Sequence, residues 1–244
     1  ISSRFVGTSF TDSGDYQLTL AGGGQLNASQ TFGNSGGVMF GDQTSDTFNF
    51  NGGVTNIVGT STVQGTLNAI GQSLRLSDVV LAGATTISAK SISLGTVVGT
   101  SNLTLSGAVT LGEAGILTTG TLVINGGVSL ASDATLAFAG NTNLAQLGTT
   151  ANAQLTKAGS GTLRIADRTF AGLLTVQDGK VELPSGLKGL VTLSGGTLQA
   201  TGTLDAGLNT DGNGGTLVFG GTTTILQSSG NVSFDENTNL VIDL

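Results

Sequence analysis

The chain contains no cysteine and no histidine among its 244 residues. Disulfides, thiolate nucleophiles, most zinc sites and every catalytic pair with a histidine base are therefore excluded. The side chains left for catalysis are carboxylates, and these stand mostly singly at turns, where an aspartate caps its own backbone. We therefore expect a protein that is not an enzyme and a fold that does without disulfides.

Charge is also scarce, because charged residues make up only 9% of the chain. The eight basic and fifteen acidic residues give a net charge of −7, and the basic residues never cluster. A groove that follows a phosphate backbone is therefore absent, and we expect no nucleic-acid partner. No uninterrupted apolar run approaches the roughly 18 residues of a membrane helix, so we also expect a chain that is not embedded in a membrane.

Glycine, by contrast, is abundant, with 41 residues against a single proline, Pro184. Short runs of alternating apolar and polar residues fill the chain, and turns rich in glycine, asparagine, aspartate and serine separate them. Alternation of this kind is the period of a strand that is buried on one face. The pattern leaves no room for a long helix, so we predict an all-β chain.

The tripeptide Gly-Thr-Leu marks strands along much of the sequence, and it begins at Gly65, Gly120, Gly161, Gly196, Gly202 and Gly215. Its irregular spacing predicts coils of variable length, about 20–25 residues each and on the order of ten in all. Because connections this short cannot cross between ordinary parallel strands, we predict a parallel β-helix, or β-solenoid, in which each strand pairs with its counterpart one coil later. An antiparallel β-sandwich is the alternative, favoured by the hairpin signals Asn125-Gly126 and Asp178-Gly179.

The clearest strand pattern lies in residues 155–165, 174–176 and 179–183. Arg164 and Glu182 each stand between two apolar residues, which predicts that both charges face outward. The alternation predicts a continuous core made by Leu163, Ile165, Leu174, Val176, Val181 and Leu183.

Residues 153–184 also resemble a known sequence family. A lysine-bearing strand, the run Gly-Ser-Gly-Thr-Leu at 159–163, a Leu-Thr-Val strand and a Gly-Lys-Val-Glu-Leu strand are similar to the autotransporter-associated β-strand repeat, and the spacer at 167–172 departs from the family pattern. The resemblance implies a right-handed parallel β-helix in a large repetitive bacterial surface protein or adhesin, extracellular and associated with the outer membrane. It implies no catalytic residues.

The ends of the chain differ from its middle. Most of the aromatic residues fall in residues 1–50, at Phe5, Phe10, Tyr16, Phe32, Phe40, Phe48 and Phe50. We predict that 1–50 is a cap or junction region, since bulky aromatics can plug an open solenoid end; ordinary core residues of wider coils are the alternative. We predict that 51–244 forms the β-helix coils and that these continue beyond the apolar strand at the chain end.

One segment suggests a metal. Asn209, Asp211 and Asn213 place oxygen atoms at alternate positions, and a glycine follows at the sixth, as in the first half of a calcium loop. The twelfth position falls on Gly220, where that loop requires a glutamate, so a plain turn is the alternative. These three residues are the candidate calcium ligands, and no other cofactor is expected.

Taken together, these features predict a non-catalytic extracellular segment, a rod or a component of a surface layer or fibre, that is adhesin-like. Low charge and polar flat faces predict self-association into a fibre or lattice. A glycan-binding module with a surface or glycan ligand is the alternative, and a polysaccharide-degrading β-helix is a third possibility. Aromatic residues clustered in a groove would favour the glycan-binding module. Carboxylates aligned across neighbouring coils would favour the polysaccharide-degrading β-helix.

Overall fold

The computed structural model describes residues 4–9, 13–56, 58–111, 114–149, 153–220, 226–228 and 230–243. It is all-β, with parallel strands stacked about 19 residues apart in a β-solenoid of about 11 turns. The predicted parallel β-solenoid is therefore confirmed, with turns somewhat shorter than expected, and the right-handed direction of the coil stays a prediction. In the described part of the chain, no helix is long and apolar enough to cross a membrane.

The antiparallel alternative is wrong, and its hairpin signal at Asp178-Gly179 shows why. Strands β20 (Leu173–Val176) and β21 (Lys180–Leu183) flank this turn. They do not pair with each other, because each pairs in parallel with strands of the preceding and following turns. The turn is a corner between two sides of the solenoid.

Two compact units divide the chain, residues 1–126 and 127–244. The described strands of the first unit are β1 (Phe5–Gly7), β2 (Ser13–Gly14), β3 (Leu18–Leu20), β4 (Gly24–Leu26), β5 (Gln30–Asn34), β6 (Val38–Phe40), β7 (Thr47–Phe50), β8 (Val54–Asn56), β9 (Ser61–Leu76), β10 (Val79–Leu94), β11 (Val97–Gly99), β12 (Leu103–Leu111) and β13 (Ala114–Asn125). Those of the second unit, besides β20 and β21, are β14 (Val128–Leu130), β15 (Ala134–Ala139), β16 (Asn141–Leu144), β17 (Leu147–Thr149), β18 (Gln154–Ala158), β19 (Thr162–Ile165), β22 (Gly186–Leu187), β23 (Val191–Leu193), β24 (Thr197–Ala200), β25 (Gly202–Leu204), β26 (Leu208–Thr210), β27 (Gly215–Gly220), β28 (Leu226–Ser228) and β29 (Thr238–Asp243).

One strand of the first unit runs along three sides of a solenoid turn. Strand β9 pairs first with β6, then with β7 and then with β8, so it continues through the two corners that separate those strands in the preceding turn. Gly65 and Gly71 stand at these corners with φ angles of 85° and 78°, which side-chain-bearing residues rarely adopt. A Cβ at Gly65 would also clash with the carbonyl oxygen of Asp46. Corner glycines therefore let a strand bend without leaving the sheet.

The first unit contains a wide turn with an aromatic core. Gly24 lies beside Phe48 in the register, so the turn between them is longer than the usual spacing of about 19 residues. Phe32, Phe40, Phe48 and Phe50 are at most 1% exposed, and their ring centroids lie 5.3–6.5 Å apart in neighbouring pairs. These four residues are therefore core residues of wide turns, whereas the cap role of residues 1–50 stays a prediction and Phe10 lies outside the described residues.

The core of the second unit is mainly aliphatic, and it confirms the predicted strand faces. The six residues predicted to point inward are all fully buried: Leu163, Ile165, Leu174, Val176, Val181 and Leu183. Arg164 is exposed and Glu182 is half-buried on the opposite face. The turns here include narrower ones, since Lys180 lies beside Thr197 in the register.

Candidate functional site

Five of the described aspartates at the corners of the solenoid are engaged by the backbone of adjacent turns. In five cases a carboxylate oxygen accepts a hydrogen bond from a backbone N–H 18 to 24 residues away, at distances of 2.7–3.3 Å. The donor and acceptor pairs are Gly22 and Asp46, Thr96 and Asp78, Leu147 and Asp167, Gln154 and Asp133, and Gly212 and Asp235. These carboxylates hold one turn against the next.

Asp46 is the most buried of these five aspartates. Its side chain is 8% exposed, and Oδ2 accepts hydrogen bonds from the backbone N–H groups of Gly22, Asp42 and Gln43 at 3.3, 3.0 and 3.1 Å. Burial acts to raise the pKa of this carboxyl, but the hydrogen bonds to the charged form outweigh burial and hold the pKa below its usual value. Asp46 is therefore a charged clamp inside a corner.

The candidate calcium residues occupy two different structural positions. Asp211 accepts hydrogen bonds from the backbone N–H and the side-chain amide of Asn213 at 3.2 and 3.1 Å, as in a turn that an aspartate closes on itself. A hydrogen bond with Ser194 is the main reason that the pKa of Asp211 is lowered. Asn209 lies on strand β26 instead, where its Oδ1 accepts from the Ser233 hydroxyl at 3.4 Å.

Metal binding at Asn209, Asp211 and Asn213 stays a prediction, and the turn alternative accounts for the contacts at Asp211. Within the described residues, no group of three or more carboxylate, histidine or cysteine side chains could hold a metal ion. Gly220, the twelfth position of the calcium-loop pattern, lies in strand β27 and has no side chain that could bind a metal. The oxygen atoms of Asp211 are engaged by Asn213 of its own turn and by Ser194.

Uncharged polar residues form two parallel rows on one face of the first unit, which we name the unit-1 ladder. The register aligns Thr47, Thr66, Thr86 and Thr104 in one row, and Asn49, Asn68, Ser88, Ser106 and Asn125 in the other. Side-chain hydrogen bonds run along the second row, from Asn68 Nδ2 to Asn49 Oδ1 at 3.0 Å and from Asn125 Nδ2 to Ser106 Oγ at 3.4 Å. The residues between the rows point into the core.

The second unit has a comparable row on one of its sheets. The register there aligns Thr135, Thr156, Thr175, Thr192 and Asn209. All five are half-buried, as expected of side chains that pack against their neighbours in the row while their hydroxyl or amide groups reach water. These rows were not identified from the sequence, although the repeated words Thr-Phe-Asn, Thr-Leu-Asn, Thr-Ile-Ser and Thr-Leu-Ser at 47, 66, 86 and 104 are the signal that could have revealed them.

A different sheet of the second unit carries charge. Arg164, Glu182 and Gln199 are register partners on three successive turns, and Lys180 Nζ lies 2.7 Å from Glu182 Oε1. A shallow notch of about 120 Å³ lies here, and it is lined by Arg164, Glu182, Leu183, Pro184, Gln199 and Thr201. We name it the Arg164 notch.

Lys157 is the one charged residue among the described core residues that are fully buried. Its Nζ donates hydrogen bonds to the carbonyl oxygens of Ala158 and Gly159 at 2.6 and 2.7 Å, and it lies 4.7 Å from the centroid of the Phe138 ring. Burial lowers its pKa to about 8, although the charge of Asp178 acts in the opposite direction. The ammonium group therefore stabilises the corner at Ala158 and Gly159 from inside the core.

The contacts of the corner carboxylates and the exposure of the aromatic residues bear on the two alternative functions. Each of the five corner carboxylates accepts a hydrogen bond from a backbone N–H of a neighbouring turn. Among the residues whose burial is described, only two large aromatics are exposed, Tyr16 and Phe234, each at 50%. No groove of clustered aromatics therefore occurs in the part of the chain that the structure describes.

Comparison of the chain with protein-family models, with curated proteins and with solved structures finds no match. The resemblance of residues 153–184 to the autotransporter-associated repeat therefore stays a prediction. Function has to be inferred from the fold and from the contacts of the corner, ladder and notch residues.

Proposed function

We propose that this chain is a non-catalytic structural segment of an extracellular bacterial surface protein, a rod or a component of a surface layer or fibre, of the adhesin type. The observation that carries the proposal is the use of the carboxylates. An acid–base or glycoside-cleaving site needs carboxyl groups that are free to exchange protons with a substrate. Here Asp46, Asp78, Asp133, Asp167 and Asp235 accept hydrogen bonds from the backbone of the neighbouring turn.

We also propose that copies of this chain associate with one another, and the unit-1 ladder supports this proposal. Its two rows contain hydroxyl and amide groups, which both donate and accept hydrogen bonds, and they contain no charged side chain. On an adjacent side, Val80 and Val98 are register partners, and they are 37% and 38% exposed. Copies of such a surface meet little electrostatic repulsion, so many weak polar and apolar contacts can add up.

The catalytic half of the proposal is tested by incubating the purified chain with neutral and anionic polysaccharides and measuring reducing-sugar release. We expect release no greater than that in a protein-free control. Turnover that disappears in an Asp167→Asn or Asp211→Asn variant would show that the chain is an enzyme.

The assembly half is tested by light scattering and negative-stain electron microscopy. We expect concentration-dependent particles from the unaltered chain and dispersed particles from a Thr66→Lys, Thr86→Lys double variant, because the two charges lie next to each other on the ladder. The matched control is Gln72→Lys with Ala82→Lys, which adds the same charge at exposed positions outside the ladder. Monomers from the unaltered chain at every salt concentration would overturn self-association. Equal dispersal by both double variants would show that the unit-1 ladder is not the surface through which copies associate.

A further inference from the structure

The Arg164 notch brings together the binding groups of an acidic sugar, and this goes beyond the structural role proposed above. Four of its residues lie on β19, β21 and β24, which stack in register in three successive turns, and Pro184 and Thr201 directly follow β21 and β24. Parallel strands lie about 4.8 Å apart, so the outward side chains at this register position stand side by side. We propose that the Arg164 notch binds one uronic acid residue of an acidic polysaccharide.

The charge balance of the notch favours a carboxylate. Arg164 is exposed and has no ion-pair or hydrogen-bond partner among the described residues. Glu182, its neighbour in the register, is neutralised by Lys180 at 2.7 Å. The notch therefore has an unmatched positive charge, although the whole chain has a net charge of −7. A guanidinium group binds a carboxylate through two parallel hydrogen bonds, which fixes orientation as well as affinity.

The remaining groups fit the rest of a sugar ring. Gln199 offers an amide donor and an amide acceptor, and neither has a partner in the described structure. The Thr201 hydroxyl donates to the carbonyl oxygen of Pro184 at 2.7 Å, so its lone pairs remain to accept from a ligand. The pyrrolidine ring of Pro184 supplies an apolar surface for the C–H face of the ring. Sugars pair hydroxyl groups with such amides while their ring faces pack on apolar side chains.

The size of the notch limits the ligand to one residue. Its volume of about 120 Å³ is well below the 300–1,000 Å³ of pockets that enclose drug-sized molecules. A longer chain would therefore place one sugar in the notch and leave its neighbours on the open sheet. An acidic peptide could also meet Arg164, but its side chain would leave Gln199 and Pro184 unused, so a peptide ligand is an outcome that the test must separate.

The probe is a trimer of galacturonic acid, with its methyl ester and a trimer of galactose as uncharged comparisons. Chemical shift changes of the backbone amides of β19, β21 and β24, followed by NMR up to about 10 mM ligand, give the affinity in a range that suits a single-residue site. We expect the acid trimer to bind at least roughly tenfold more tightly than either uncharged trimer, which is the effect of one charge-assisted contact.

Three variants locate the binding. Arg164→Gln should weaken binding of the acid trimer at least roughly tenfold, and Arg164→Lys should restore part of it, because lysine keeps the charge but loses the paired hydrogen bonds. Arg168→Gln is the matched control, since Arg168 is paired with Asp205 at 2.8 Å outside the notch. Gln199→Ala should weaken sugar binding severalfold but leave the affinity for a glutamate-rich peptide unchanged.

Three results would overturn the proposal: no shift changes at the highest concentration, equal affinity of the unaltered chain and Arg164→Gln, or a glutamate-rich peptide that binds as tightly as the acid trimer. None of these outcomes affects the proposed structural role. Light scattering of Arg164→Gln measures that role separately, because Arg164 is not part of the unit-1 ladder. Circular dichroism of each variant checks that the β-solenoid is intact.

Discussion

The two units stack parallel strands in the same way but fill the turns with different residues. In the first unit, the wide turn from Gly24 to Phe48 encloses phenylalanines that contact one another, and Phe40 lies within 5.3–6.1 Å of three other rings. In the second unit, narrower turns enclose an aliphatic column of Leu163, Val181, Leu198 and Leu217. Here the longer turn encloses the larger side chains, but length alone does not require an aromatic core, because the turn from Gly202 to Leu226 in the second unit is as long as the turn from Gly24 to Phe48.

The outer faces differ in the same pair of units. The unit-1 ladder is uncharged along its two rows, whereas Arg164, Lys180 and Glu182 stand together on one sheet of the second unit. Because strands in both units alternate inward and outward residues, the core can be kept constant while the outer face changes. A β-solenoid can therefore carry different surfaces on successive turns without changing its fold.

The largest effect is expected where the aliphatic column of the second unit is broken. Leu163→Asp should lower the free energy of unfolding by about 5 kcal/mol, because burial of a leucine is lost and an unpaired charge enters the core. Urea unfolding measures the change. Thr175→Asp, on the outward row of the same unit, should cost less than about 1 kcal/mol. Equal losses in both variants would show that the strand faces are assigned incorrectly.

The aromatic core of the first unit should be the next most sensitive place. Phe40→Ala removes a fully buried ring and should cost about 3–5 kcal/mol through lost contacts and the cavity that remains. Leu198→Ala, at an equally buried position of the second unit, should cost about 2–4 kcal/mol, because the removed volume is smaller. A smaller loss for Phe40→Ala than for Leu198→Ala would contradict the idea that the wide turns depend on aromatic packing.

Sequence reasoning reached the faces of single strands but not the register between them. Alternation is a local property, and it places Leu163 and Arg164 on opposite faces of their strand. The Gly-Thr-Leu words, by contrast, fall in different sheets: Thr66 on β9, Thr197 on β24 and Thr203 on β25. Their spacing in the sequence is irregular because turns differ in length at the corners. The rows of the ladder leave a signal in the repeated words that begin at 47, 66, 86 and 104, whereas the notch depends on a register that no repeated word marks.

The long-range contacts at the corners also could not be predicted from the sequence. An aspartate at a turn predicts a cap on its own backbone, yet Asp46 also accepts from Gly22, which is 24 residues earlier. Alternation would place Lys157 on the inner face with Leu155, but hydrophobicity argues against a lysine there. The carbonyl oxygens that make this position acceptable become visible only when the corner is folded.

Lys157 supplies a pH-dependent difference between the units. The unfolded chain keeps this lysine charged up to its ordinary pKa of 10.5, whereas the folded chain releases the proton above a pKa of about 8. The unfolded state therefore binds more protons between these values, so stability should rise by about 3 kcal/mol in total from pH 8 to pH 10.5. Lys157→Met should remove this rise. Urea unfolding at several pH values measures it, with Lys180→Met as the control.

A Lys157→Met curve with the same slope as that of the unaltered chain would contradict this assignment. Lys180→Met should retain the slope, because Lys180 is on the outer face, where it pairs with Glu182.

The smallest effect is expected at Asp46, and it runs in the opposite direction with pH. Its pKa is lowered in the folded chain, so its stabilising effect is present above the ordinary carboxyl pKa and is lost as the pH falls through the lowered value. Asp46→Asn should cost about 1–2 kcal/mol at pH 7, since a neutral amide oxygen accepts the three backbone N–H bonds more weakly. It should also flatten the loss of stability below about pH 4. Asp15→Asn is the control, because Asp15 accepts from the exposed hydroxyl of Ser35; an equal effect of both variants would remove Asp46 from the role of corner clamp.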